Sequence, residues 1–145
     1  MASLLFGVVA LLSLVLPMIS NDAGTYAGYQ VLFPYEISSL ELEGFDAIAS
    51  ATLPFNALSI IAYLLVVVGI VTLVVNKKLE LLSVIAFTAA GVMMVMIPSN
   101  VDMVLAFVGQ ETTISPDWSF GYGLILGMTT VFLAALSALF YLINP

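Results

Sequence analysis

Apolar residues fall in four long runs, and the polar residues collect between them. The runs cover about residues 2–20, 55–75, 79–98 and 117–143. A membrane-crossing helix needs about 20 predominantly apolar residues, and each run has that length. The only acidic residues within these limits stand at the edges: Glu80 just after the second break, and Asp117 at the start of the last run. The first run has no basic n-region and no A-x-A cleavage site, so it reads as a span and not as a signal peptide. The pattern predicts an all-α membrane bundle, one domain over 1–145. It has four transmembrane helices joined by loops 21–54 and 99–116 and a short turn between spans two and three.

The polar stretches carry a different period. "SLELE" (39–43) alternates Leu40 and Leu42 with Glu41 and Glu43, which is the period of a half-buried strand. "YQVLF" (29–33) reads as a strand too, and Pro34 marks an edge or turn. In "FDAIASATLP" (45–54), Phe45, Ile48, Ala49 and Leu53 have helical spacing. "ETTIS" (111–115) offers one more strand. "VDMVLAFVG" (101–109) follows Pro98 and reads as more of span three or as a short second helix. The expected extramembrane layer is a small antiparallel β-sheet with a short helix on the membrane surface. A loop of this size with its own structure points to function.

Charge orients the bundle. Lys77 and Lys78 are the only two basic residues, against nine acidic ones. Lysines accumulate in short cytoplasmic loops, so the turn at 76–78 is expected in the cytoplasm. Four spans then return both termini to that side, with the plasma membrane as the expected host and loops 21–54 and 99–116 outside. No segment of domain size is then left in the cytoplasm for signalling or ATP-driven work. Composition agrees: 63% of residues are hydrophobic and 8% charged, against roughly a quarter charged in a soluble domain.

Within the spans, "SPDWSFGYG" (115–123) resembles a helix start. Ser115 would cap it, Pro116 would take the first position and Asp117 would face the positive helix end. Trp118 and Tyr122 would then form an interfacial aromatic belt. Gly123 and Gly127 make a GxxxG notch, and "AFTAAG" (86–91) puts Ala86 and Ala90 on a small-residue stripe. Facing stripes would let spans three and four pack closely. Spans one and three also end alike, "LVLPMISN" and "VMIPSN". In so biased a composition chance explains that echo more simply than duplication.

Inner termini, a long first outer loop with strands, a tight inner turn and a shorter second outer loop together resemble the claudin-like (tetraspan) four-span membrane proteins. The resemblance is architectural and spans the whole chain. The Gly-Leu-Trp signature and the paired cysteines of that family are not in this sequence, and Trp118 lies in the second loop. The resemblance implies a structural protein working through outer-loop and lateral contacts.

The chemistry is sparse. There is no cysteine and no histidine, which removes thiol chemistry, disulfides, the usual general base and the commonest metal ligand. No ionisable group sits at mid-membrane depth, where pumps and relays place them. Asn56, Ser59, Tyr63, Thr88, Thr129, Thr130 and Ser137 are mild polar groups suited to interhelical hydrogen bonds. Glu36, Glu41, Glu43 and Asp46 form a weak cation-site candidate for Ca²⁺. Their spacing is not that of a calcium loop, and a solvated face is the simpler reading. No catalytic residue, cofactor, metal or nucleic-acid surface is expected. The partners expected are the lipid bilayer and other membrane subunits or a second copy. The sequence reads as a non-enzymatic membrane scaffold or interaction protein, with an oligomeric pore, an exporter subunit or an immunity-like shield as alternatives.

Overall fold

The computed structural model describes residues 2–21, 24–40, 49–54, 56–107 and 110–144. Helix α1 (Ala2–Leu12) tightens into a 3₁₀ turn, Ser13–Val15, and leads to strand β1 (Pro17–Asn21). Strand β2 (Gly24–Ala27), the short helix α2 (Gly28–Leu32), and strands β3 (Tyr35–Leu40) and β4 (Ala49–Leu53) follow. Helices α3 (Ala57–Val75) and α4 (Glu80–Met96) form a hairpin around a 3₁₀ turn, Lys77–Leu79. Strands β5 (Met103–Phe107), β6 (Gln110–Ile114) and β7 (Ser119–Phe120) precede the last helix, α5 (Tyr122–Ile143).

Among the described residues three helices are long and apolar enough to cross a membrane: Ala57–Val75, Lys77–Met96 and Tyr122–Ile143. By the length and composition of these helices the chain is a membrane protein. Their packing is inverted relative to a water-soluble bundle. The inner face of α3 carries Ser59, Ala62, Tyr63, Val66, Gly69 and Thr72. Its outer face presents Leu64, Val67, Val71 and Val74 to the surroundings. Helices α4 and α5 repeat the arrangement, with Ala86, Ala90 and Gly91 inside α4 and Gly123, Gly127 and Ala134 inside α5. In lipid, large aliphatic side chains lose nothing by facing outward, and small ones inside let backbones approach.

The first run departs from its expected span. Its helix stops at Leu12, and the run ends as strand β1. The Ser13 hydroxyl donates back to the Ala10 carbonyl at 2.6 Å. Pro17 has no amide hydrogen to continue the helical ladder. Beyond it, β1 pairs with β2 on one side and β7 on the other, and Met18 and Ile19 are fully buried. An apolar run long enough for a span is thus divided between an 11-residue helix and a core strand.

The seven strands among the described residues lie at the helix ends opposite the Lys77–Lys78 turn, in two antiparallel sheets ordered β2-β1-β7 and β3-β4-β5-β6. In the larger sheet Tyr35 stands opposite Leu53, Ala51 opposite Leu105 and Leu105 opposite Thr112.

Three local expectations change here. "YQVLF" is helical, because Gly28, Val31 and Leu32 are the buried positions and have helical spacing. The Gln30 side chain accepts the Ala27 amide at 2.8 Å and closes its first turn. Residues 49–53 form a central strand and not a surface helix, since β3 and β5 take up their backbone groups on both sides. Residues 103–107 are likewise a strand and not a continuation of span three.

Candidate functional site

The β end is built on a few fixed points. Trp118 is not in a lipid-facing belt. It lies before α5, is 8% exposed, and donates its indole N–H to the Val101 carbonyl at 3.0 Å. Its ring meets Tyr26 edge-on at 5.6 Å, and Tyr26 in turn meets Tyr35 at 6.3 Å. Burial, and secondarily the neighbouring Tyr35, raises the Tyr26 phenol above its ordinary pKa. These contacts tie the two sheets to the segment preceding α5. Tyr122, by contrast, is exposed on the first turn of α5.

The expected helix start at Ser115 is also displaced. Helix α5 begins after Gly121, whose amide donates to the Met18 carbonyl at 2.8 Å. A side chain at Gly121 would run into the Pro17 backbone. The Ser115 hydroxyl instead donates to the Asp102 carboxylate at 2.6 Å. Pairing of Ser119 and Phe120 with β1 leaves residues 115–120 unavailable to the helix.

Asn56 fixes α3 to the β end. Its Oδ1 accepts from the Ser59 amide at 2.9 Å and the Ser59 hydroxyl at 3.0 Å, while Nδ2 donates to the Asn100 carbonyl at 3.1 Å. Asn56→Ala is expected to cost about 1–2 kcal/mol as a lost helix cap. Asn56→Asp keeps the acceptor and should recover most of that loss. Thermal unfolding of the two variants in detergent checks the order, and equal losses would refute the capping role.

Gly123 and Gly127 are buried on α5, with the end of the first run as their nearest neighbour. Cβ atoms at Gly123 and Gly127 would meet Leu16 at 2.6 Å and the Ser13 hydroxyl at 2.8 Å. The notch therefore seats the end of the first run, and not the Ala86–Ala90 stripe of α4. Ala86 and Ala90 are buried on α4. At Gly91 the close neighbour from α5 is the Phe132 ring, 2.6 Å from an added Cβ.

Of the mild polar groups, Tyr63 meets the Ser13 hydroxyl at 3.3 Å inside the bundle. Thr88 and Thr129 are exposed, with hydroxyls bonded to Val84 and Ile125 one turn back. That satisfies them in lipid without a partner helix. Sequence reading passed over a second buried network, which joins α3 to α4: the Thr72 and Ser83 hydroxyls lie within hydrogen-bond reach of each other and of the Gly69 carbonyl, so one can donate to the carbonyl while the other donates to its partner hydroxyl. Its signal was present: Gly69, Thr72 and Ser83 are small or polar residues flanking the turn of the α3–α4 hairpin.

Of the carboxylate candidates, Glu36 lies on β3 with its backbone opposite Thr52. Glu41, Glu43 and Asp46 lie outside the described residues. Among the described residues no group of three or more acidic, histidine or cysteine side chains could hold a metal ion.

No protein family, curated protein or solved structure matches this chain. The functional reading therefore rests on surface and geometry. Strand β6 is an edge strand, and all five of its residues are exposed. Phe107, at the far end of β5, is 64% exposed beside it. At the other end of the bundle, Lys77 and Lys78 are exposed on the hairpin turn, where the Asn76 side chain accepts the Lys78 amide at 2.9 Å.

Proposed function

We propose that this chain is a non-enzymatic membrane scaffold whose β layer is a docking surface for another protein, or for a second copy of itself. The outer edge of β6, which pairs with no other strand among the described residues, carries the reading. An unpaired strand edge presents a row of backbone donors and acceptors, and native proteins blunt such edges with lysine, proline or a covering element. The strand "QETTI" contains neither lysine nor proline, and Glu111 is its one charged residue. It is held in place by its pairing with β5, and just past its end the Ser115 hydroxyl donates to the Asp102 carboxylate. Strand addition at such an edge draws affinity from main-chain hydrogen bonds. The claudin-like arrangement of the chain belongs to the same proposal, with the Lys77–Lys78 turn and both termini in the cytoplasm and the β layer outside the plasma membrane.

Single cysteines test both parts, since the chain has none of its own. In intact cells Thr112→Cys should react with an impermeant maleimide and Lys78→Cys should not. In native membranes a bifunctional maleimide should convert the Thr112→Cys protein into an adduct of one defined mass. Adding Thr113→Lys, a charge on the edge, should abolish that adduct. Reversed labelling would overturn the orientation, and an adduct indifferent to Thr113→Lys would sink the edge-docking reading.

A further inference from the structure

At the lysine end, the bundle opens into a cleft of about 850 Å³. Its walls come from three helices, with Leu4 of α1, Leu73 of α3 and Ala138 of α5 among the apolar positions. Its rim holds Lys77 and Lys78, the only two basic residues of a chain with net charge −7. Neither ammonium has an ion-pair partner among the described residues. Glu80 shares the rim, so the local charge is two cations against one carboxylate. Ser3, in the same wall, is 3% exposed, and its hydroxyl has no hydrogen-bond partner among the described residues.

We infer that this cleft binds an anionic phospholipid from the leaflet at that end of the bundle. The volume suits a ligand site. Apolar walls below a cationic rim match an acyl chain below a phosphate. Lysines at a membrane surface attract anionic lipid headgroups, and an apolar cleft beside them turns that general attraction into a site. The unsatisfied Ser3 hydroxyl offers a donor to a lipid oxygen reaching the wall. The carboxylate of Glu80 opposes the anion, so removing it should strengthen binding. The inference does not depend on which leaflet this is, or on the proposed docking at β6.

The test uses the full chain in mild detergent, with native mass spectrometry and two lipids of equal acyl length, phosphatidylglycerol and phosphatidylcholine. Wild type should retain phosphatidylglycerol preferentially. Lys77→Gln with Lys78→Gln should reduce that retention on the order of tenfold, and the double arginine variant should restore it. Glu80→Gln should increase it. Val74→Trp places bulk in the cleft from a position 67% exposed, so the core is untouched. It should cut retention with both lysines intact. Unchanged retention in the double glutamine variant would overturn the site. Unchanged retention in Val74→Trp would reduce it to surface electrostatics and also overturn it. So would soluble glycerol phosphate binding as tightly as the lipid.

Discussion

Gly123→Ala should lower the thermal stability of the detergent-solubilised protein by about 1–3 kcal/mol, the usual cost of forcing atoms into a packed site. The added Cβ would stand 2.6 Å from Leu16 Cβ, 2.7 Å from the Pro17 carbonyl oxygen and 2.9 Å from the Leu16 carbonyl carbon. Two of these three neighbours are backbone, in a segment that leads into a strand paired on both sides. They cannot swing aside as a side chain would. Gly127→Ala is expected to cost less. Its nearest neighbour is the Ser13 hydroxyl at 2.8 Å, and the next contacts, at 3.6 and 3.7 Å, are ordinary. Melting curves of the two variants should therefore separate, Gly123→Ala being the lower. Coincident curves would mean that α5 is not seated on the end of the first run.

The second large effect is expected at Phe87. Its ring is fully buried. An added Cβ at Gly69 would stand 2.7 Å from it, and one at Gly7 would stand 3.3 Å from it. The ring thus fills the space left by two glycines, on α1 and α3. Phe87→Ala should cost about 3–5 kcal/mol, as for a large buried side chain whose site cannot collapse. In a bilayer that cost is lost packing, since lipid offers no hydrophobic gain for helix association. Gly69→Val should also destabilise, by collision with the ring. Together the two substitutions should cost less than their sum, because the valine enters the volume the ring vacates. Strict additivity in a thermal or denaturant titration would show that Phe87 and Gly69 do not share that space.

The lysine turn and the glycines illustrate how far local reading reaches. Lys77 and Lys78 stand between two apolar runs, and no other structure is open to them than an exposed turn. The α3–α4 hairpin follows from that alone. Gly123 and Gly127 announce a close approach, since an i, i+4 pair of glycines clears one helix face. Which partner enters that space is not a local property. The stripe on α4 is also small, and nothing in either segment distinguishes it from the end of the first run as the facing surface. The deciding contacts, Leu16 and Ser13, lie more than a hundred residues away in sequence.

Periodicity misled where a segment had two viable partners. Residues 29–33 alternate well enough for a strand, yet Gly28 sits against the Leu14 backbone, with an added Cβ 2.8 Å from Leu14 Cα. That approach favours the helical set Gly28, Val31 and Leu32. Trp118 read as an interfacial anchor because an aromatic before an apolar run usually is one. Its indole instead found the Val101 carbonyl, 17 positions back in the chain.

Sequence by itself determined the apolar helices of the α3–α4 hairpin and α5, their shared lysine-poor interiors, the cationic turn and a β layer beyond the helices. These follow from composition, from 3.6-residue periods and from breakers such as Pro98, all of which act within a few residues. Tertiary structure alone decided that the first apolar run divides into a short helix and a core strand. It likewise decided that residues 49–53 and 103–107 are strands, that the glycine notch receives that first run, and that the two lysines overhang a cleft. Each of these depends on backbone hydrogen bonds or close contacts between distant segments. An apolar stretch satisfies its backbone equally well as helix or as paired strand, so the neighbours available in space make the choice.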